Sequence, residues 1–263
     1  MATFLLAAGP PLGAVAWDQV ARRLQSQGHD VLRHDLCTAE PDRARVGDHV
    51  QALAEHIDRL DAPPFVVGQG LAVPVVMGIL ANRKIPGLAL INGPIDTLDP
   101  FTAALSRALV KPALAAQTLL QPDLFRRFLW SSLGYRRLVV NPYVMGRDTV
   151  VMVTGAAFST AKRREALAVF LHDLPEHLAR PVAQTSAPTP TLLLWGDDDR
   201  LYPAHVADRA RASFEKAEHV RIPGGRHLHI IERPWETADA LDAWVRRLTG
   251  DADAGRGDGA TLT

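Results

Sequence analysis

The sequence predicts an α/β fold in which a mostly parallel sheet of about six strands is flanked by helices. Short apolar segments alternate with amphipathic segments over residues 3–92, a pattern typical of parallel strands joined by helical crossovers. The alternation stops after Gly93 and resumes at Thr191, which predicts a helical cap inserted into the fold. We therefore expect a core formed by residues 1–92 and 189–250 and a cap insertion over residues 93–188.

Each strand of the first half is a short apolar segment bounded by glycine, proline or polar residues. The intervening helices are indicated by apolar side chains that recur at helical spacing, as over Val46–Leu60. The predicted strands are Thr3–Ala8, Val31–Leu36, Phe65–Gly68 and Gly87–Asn92.

The second half begins with segments of helical pattern that proline and glycine separate. The predicted helices of the cap are Pro100–Leu120, Pro122–Leu133 and Ala161–Leu174. Strand and helix then alternate again through Thr191–Gly196, Pro203–Phe214, His219–Ile222 and Pro234–Leu248. Residues 251–263 are small, polar and glycine-rich without periodicity, so we expect a disordered tail.

Composition narrows the class of protein and its partners. The 263 residues are 47% hydrophobic and 22% charged with a formal net charge of zero, as in soluble globular proteins with a large core. A zero net charge provides no field that would attract nucleic acid, and Met1–Gly9 is too short to span a membrane. The single Cys37 excludes an internal disulfide, which favours a reducing, cytoplasmic compartment. We expect a monomer or homodimer.

A strand–turn–helix segment, FVVGQGLA over Phe65–Ala72, contains the third predicted strand. The apolar strand reaches a Gly-x-Gly-x-Ala turn and continues as the apolar stretch Val73–Leu80, which is predicted to be a helix. The turn has a central residue between its two flanking positions. Gly70 occupies that central position.

Four segments follow one another along the chain: AGPPLGAVAW, VVGQGLA, LLLWGDDDRLYP and GGRHLHIIERP. In this order they resemble the His-Gly loop, the nucleophile elbow, the loop of the acid and the loop of the histidine in the α/β-hydrolase family, and the resemblance covers about Thr3 to Leu248. The start directly at the first of these segments is similar to the compact branch of hydroxynitrile lyases and methylesterases.

The resemblance implies roles for individual residues. It places the catalytic acid on Asp199 and the catalytic histidine on His227. In the family the aspartate orients the imidazole, which moves the proton. The position equivalent to the nucleophile is Gly70, the oxyanion region contains Leu71 and Pro10, and Gly9 and Gln69 are expected to line the pocket.

Two departures from the family pattern count against serine hydrolysis. Gly70 has no side chain, so no acyl-enzyme can form there, and glycine tolerates positive φ without strain. Pro10 stands where a backbone N–H would stabilise the oxyanion, and proline has none, so that only the Leu71 N–H remains. Losing one such donor costs about 10²–10³ in rate.

Other polar residues carry weaker indications. Consecutive carboxylates at Asp197–Asp199 point in different directions in a loop, so we expect no metal site, and no cofactor motif is present. His229 is interpreted as a strand-end or surface residue. The insertion is locally basic, either as a solvated face or to attract an anionic ligand to the pocket mouth. It also holds aromatic residues, some expected over the site: Phe101, Phe125, Phe128, Trp130, Tyr135, Tyr143 and Phe158.

Three functions follow as hypotheses. The first is a repurposed enzyme in which His227 acts as a general base on a small apolar substrate in a capped pocket, without cofactor or covalent intermediate, as in lyases, cyclases or cofactor-free oxygenases. The second is a non-catalytic protein that binds a small molecule. The third is a hydrolase disabled by substitution at residue 70.

Overall fold

The computed structural model describes residues 1–179 and 189–250 of the chain. The predicted disordered tail, residues 251–263, and the last part of the predicted insertion, residues 180–188, lie outside the described residues. Within the described part, no helix is both long and apolar enough to cross a membrane.

Six parallel strands form one sheet in the order β2-β1-β3-β4-β5-β6, which confirms the predicted fold class. The strand order reverses between β1 and β3, so the loops that follow these two strands flank the point where such sheets bind ligands. The strands are β1 (Thr3–Ala8), β2 (Asp30–Asp35), β3 (Phe65–Gln69), β4 (Leu88–Ile91), β5 (Thr191–Gly196) and β6 (Ala217–Ile222).

Helices cover both faces of the sheet because alternate strand residues are apolar on both sides. In β1, Phe4 and Leu6 pack with α1 and α12, whereas Leu5 packs on the face that α2 and α3 cover. The core helices are α1 (Asp18–Ser26), α2 (Val46–Asp58), α3 (Val73–Gly78), α10 (His205–Ala210), α11 (His229–Glu232) and α12 (Pro234–Thr249).

Between β4 and β5, six further helices lie in the described residues 93–179. We call this part of the chain the inserted helices. They are α4 (Pro100–Ala108), α5 (Pro112–Thr118), α6 (Pro122–Trp130), α7 (Ser132–Leu138), α8 (Arg147–Phe158) and α9 (Ala161–Leu178). Helix α9 packs against α4, α5 and α8 and also against α2, so it joins the inserted helices to the core.

The predicted single helix Pro100–Leu120 is wrong, since the chain breaks between α4 and α5. Pro112 has no backbone N–H to donate to the preceding turn, and it disfavours helical geometry in the residue before it. Lys111 accordingly adopts φ −116° and ψ 86°. Helices α7 and α8 were not predicted, because glycine and proline interrupt the apolar pattern around them.

Candidate active site

The turn after β3 keeps its sharp backbone geometry although residue 70 is glycine. Gly70 has a φ of +58°, in the left-handed region, which glycine adopts at no steric cost. A Cβ built on Gly70 would lie 3.4 Å from His227 Nε2. Gly70 and the imidazole of His227 therefore face each other, and the gap between them has room for one methyl group on residue 70.

His227 and Asp199 meet on the opposite side of that space. His227 Nδ1 lies 3.2 Å from Asp199 Oδ2, and both residues are buried. Because a carboxylate only accepts hydrogen bonds, Nδ1 is the nitrogen that carries the proton. In the neutral ring, Nε2 is then an acceptor directed toward Gly70.

Backbone N–H groups hold the carboxylate of Asp199 in place. Its Oδ1 accepts hydrogen bonds from the N–H groups of Leu201, at 2.8 Å, and Tyr202, at 3.2 Å. The other oxygen is left for His227, so each carboxylate oxygen has a separate partner. Asp197 and Asp198 are exposed while Asp199 is buried, which shows that the three carboxylates point apart.

Among residues 1–179 and 189–250, no group of three or more histidine, cysteine or acidic side chains is placed to hold a metal ion.

Asn92 connects the histidine loop to the ends of two strands, a role that the sequence did not indicate. Its Nδ2 donates to the carbonyls of Arg226, at 2.8 Å, and His227, at 3.2 Å, and its Oδ1 accepts from Gly196 N–H at 2.9 Å. Asn92 was predicted as the last strand residue, but its φ is 43°. Asparagine is among the residues that tolerate this left-handed conformation. Its identity is therefore the one feature of the sequence that could have indicated a turn at this position.

Tyr202 joins the acid loop to the inserted helices, which sequence reasoning also missed. Its hydroxyl donates to Asp99 Oδ2 at 3.2 Å, while Asp99 Oδ1 caps α4 by accepting from the N–H groups of Phe101 and Thr102. The Tyr202 ring centre is 5.8 Å from that of His227. Burial, followed by the charge of Asp99, raises the pKa of Tyr202 well above its usual value.

His229 is not a surface residue, so the earlier interpretation is wrong. It begins α11 and is fully buried, and its Nδ1 lies 2.7 Å from Thr237 Oγ1. Burial, followed by the neighbouring His227, lowers the pKa of His229 to about 3. His229 is not at a strand end either, because the segment is helical rather than extended.

A cavity of about 130 Å³ opens above Gly70 and His227. Every residue predicted for the oxyanion region or pocket lines it: Gly9, Pro10, Gln69 and Leu71. Pro10 contributes no N–H there, as its chemistry requires. Gln69 also supports the histidine loop, since its Nε2 donates to the carbonyl of His227 at 3.2 Å.

Aromatic residues of the inserted helices form part of the wall. Phe101, Phe125 and Phe128 line the cavity, and Phe101 stacks on Phe128 with ring centres 4.9 Å apart. Of the other predicted residues, Phe158 is buried behind Phe125 and Tyr143 is 90% exposed. Trp130 lies under Arg147 outside the cavity wall, and the side chain of Tyr135 lies outside the described part of the structure.

Comparisons with known proteins agree with this architecture. Haloalkane dehalogenase 2 of Mycobacterium tuberculosis is 25% identical over 204 residues, which span 75% of this chain and 70% of the relative. An esterase from Thermogutta terrifontis, solved with malate bound, has a TM-score of 0.75 at 18% identity and covers 94% of this chain and 90% of its own. A bromoperoxidase from Bacillus anthracis has a TM-score of 0.69 at 14% identity, with 93% and 92% covered.

A sequence model of the alpha/beta hydrolase family matches residues 4–240, which include all six strands and the loops of Gly70, Asp199 and His227. The parallel sheet, the turn after β3 and the two loops occur together in the order that this family requires. The chain therefore belongs to the alpha/beta hydrolase family.

Proposed function

We propose that this protein is an enzyme in which His227, oriented by Asp199, acts as a general base on a small, largely apolar substrate without forming a covalent intermediate. The observation that carries the proposal is that His227 borders an apolar cavity beside Gly70, where residue 70 places no side chain against Nε2. The inserted helices serve as the cap of that cavity.

Covalent catalysis lacks a nucleophile in this cavity. Its lining contains no serine, cysteine, aspartate or glutamate among the described residues. Thr102 and Thr154 line it, but the Thr102 hydroxyl is hydrogen-bonded to that of Tyr202, and the Thr154 hydroxyl is buried and donates to the carbonyl of Val150 at 2.6 Å. A covalent ester intermediate needs a nucleophilic side chain. Residue 70 is glycine and supplies none.

Proton removal by His227 is consistent with the geometry. His227 borders the cavity beside Gly70, where no side chain of residue 70 stands against Nε2, so a substrate hydroxyl in the cavity can come within hydrogen-bond range of this nitrogen. Asp199 stabilises the imidazolium that forms, because its Oδ2 accepts from Nδ1. Such a base typically contributes about 10²–10⁴ in rate.

The proposed chemistry is a bond cleavage or addition that starts from loss of a C–H or O–H proton. In a lyase-type reaction, Nε2 would take the hydroxyl proton, the adjacent carbon–carbon bond would break, and the leaving carbanion would receive the proton back. The low-polarity wall formed by Phe101, Phe125 and Leu129 favours substrates with an apolar body.

A non-catalytic binding protein is the second candidate, and Pro10 favours it. A developing oxyanion beside Gly70 would find no N–H from residue 10, so transition states that concentrate charge there are poorly stabilised. The same cavity would still bind an apolar ligand.

Turnover by the wild type and by His227→Gln separates the two candidates. Compounds that raise the melting temperature, drawn from cyanohydrins, hydroxyketones and aryl esters, would be incubated with each variant and analysed by mass spectrometry. We expect product from the wild type and a rate at least about 10²-fold lower for His227→Gln. His205→Gln, on the exposed face of α10, is the control and should match the wild type. Ligands that bind but are never converted, or equal rates for both variants, would contradict the proposed enzyme.

A further inference from the structure

We propose that the ligand of the cavity is an amphiphile, with an apolar body above Gly70 and an anionic group, such as a carboxylate, held at the cavity mouth by Arg137. The inference rests on the proposed function for the location of the apolar body. It adds the charge of the ligand and its orientation in the cavity, which His227 and Asp199 alone do not specify.

Positive charge is concentrated in one part of a chain that is neutral overall. Residues 100–147 contain seven arginine or lysine residues and a single acid, Asp123, whereas the whole chain has a formal net charge of zero. This segment runs from α4 to the first residue of α8, and it supplies much of the cavity wall. The local field around the mouth is therefore positive.

Most of these cations have no acidic partner in the part of the chain that the structure describes. Arg126 lies 4.0 Å from Asp123, and Arg147 lies over the ring of Trp130. The remaining five form no ion pair with an acid in residues 1–179 or 189–250; they are Arg107, Lys111, Arg127, Arg136 and Arg137. By contrast, the cap residue Arg163 lies within 3.3 Å of Glu40.

Arg137 is the one member of this set that lines the cavity, and its side chain is exposed. No acidic side chain of the described residues shares the lining with it, so an anion at the mouth meets no like charge there. A guanidinium offers paired N–H donors that match a carboxylate. An exposed position keeps part of the anion hydrated, which avoids the cost of full burial.

The volume of the cavity and the exposed apolar side chains near it indicate the size of the ligand's apolar part. A cavity of about 130 Å³ is close to the roughly 150 Å³ that accommodates benzene in a protein core, so a phenyl ring or a short alkyl chain fits. Phe101, which lines the cavity, remains 41% exposed, and Leu124, one helical turn before the lining residue Phe128, remains 53% exposed. These side chains can cover the chain that links an interior ring to an exterior anion.

Matched ligands of identical body test the assignment. Binding of 4-phenylbutanoate and of 4-phenylbutan-1-ol would be measured by calorimetry in 20 mM and 500 mM NaCl. At low salt we expect the acid to bind about three- to tenfold more tightly than the alcohol, as for a partly exposed ion pair, and the ratio to approach one at high salt.

Variants locate the charge. Arg137→Gln should remove the preference for the acid while leaving the affinity for the alcohol unchanged, and Arg137→Lys should keep part of it. Arg22→Gln, exposed on α1, is the control and should change neither affinity. These measurements use no turnover, so failure of the enzymatic proposal would not mask their result.

Several results would overturn the inference. They are equal binding of acid and alcohol, binding of neither, and a preference that survives Arg137→Gln but disappears in His227→Gln, which would place the carboxylate at the histidine. Equal binding of both ligands together with loss of phosphatidylglycerol-vesicle binding in both Arg127→Gln and Arg137→Gln would assign the cations to a membrane surface instead.

Discussion

The two sides of the cavity floor are built differently. On the histidine side, side chains hold the site: Asp199 bonds to His227, and Gln69 and Asn92 donate to the histidine loop. On the elbow side, backbone packs directly on backbone. A Cβ on Gly9 would lie 2.2 Å from Leu71 N, and one on Gly93 would lie 2.3 Å from the Gly70 carbonyl oxygen.

The difference shows why the turn survives without a nucleophile. Its shape is set by the close approach of three glycine-containing loops, and none of those contacts involves a side chain at residue 70. The polar contacts that position the imidazole of His227 come from other residues. A side chain at residue 70 can therefore be absent while His227 and Asp199 remain ordered.

The largest expected effect is loss of turnover in Asp199→Asn. An amide can donate to Nδ1 and favour the tautomer with its proton on Nε2, so the base would be unavailable and the imidazolium unstabilised. We expect the rate to fall by about 10²-fold or more. Asp198→Asn, its exposed neighbour, should leave the rate unchanged. Equal rates in the two variants would show that the histidine side is not used.

The second expectation concerns acid stability of the histidine side. The pKa of His229 is about 3 in the folded protein and about 6.5 when unfolded, so below pH 6.5 the unfolded chain binds the extra proton. This residue alone should lower the free energy of unfolding by about 2 kcal/mol between pH 6.5 and 5.

Urea denaturation at the two pH values measures this dependence. His229→Leu should show a smaller decrease, whereas His205→Leu, at an exposed position, should follow the wild type. The decrease will not vanish, because burial also lowers the pKa of His34 and His49 to about 4. An unchanged decrease in His229→Leu would show that this residue titrates normally.

The third expectation tests the open space on the elbow side. Gly70→Ala would put a methyl group 3.4 Å from His227 Nε2, beside the nitrogen that the substrate is proposed to reach, and should lower turnover about tenfold, or about 1.4 kcal/mol. A small loss of stability is also expected, since L residues disfavour a φ of +58°.

Gly70→Ser distinguishes this interpretation from that of a disabled hydrolase. With no N–H at Pro10, the serine should hydrolyse aryl esters no faster than Gly70→Ala, and fluorophosphonate should not label it. Efficient ester hydrolysis by Gly70→Ser would instead indicate that one substitution separates this protein from a hydrolase.

The smallest expected effect is at the hydrogen bond that connects the histidine side to the inserted helices. Tyr202→Phe would leave Asp99 Oδ2 buried without its donor, with a cost to stability of about 1–2 kcal/mol. Thermal denaturation would measure it. Tyr143→Phe, at a residue 90% exposed, is the matched control. If Tyr202→Phe is as stable as the wild type, the hydrogen bond to Asp99 contributes nothing.

The sequence by itself determined the parallel sheet, the positions of its strands and the three loops that meet at the site. The reason is local: the apolar periodicity, glycine turns and loop motifs of each segment are written in consecutive residues. The bounds of β1 and β5 agree with prediction to the residue. Pro10 and Gly70 likewise carry their chemical consequence in their identity alone.

Only the tertiary structure decided which distant residues hold the loops of His227 and Asp199 in place. Asn92, Asp99 and Tyr202 act through hydrogen bonds to partners up to 135 residues away, which no local pattern encodes. It also decided that His229 is buried and that Arg137, among several similar cations, lies at the cavity. Which side of a short helix faces the core depends on what packs against it, and that is a property of the assembled fold.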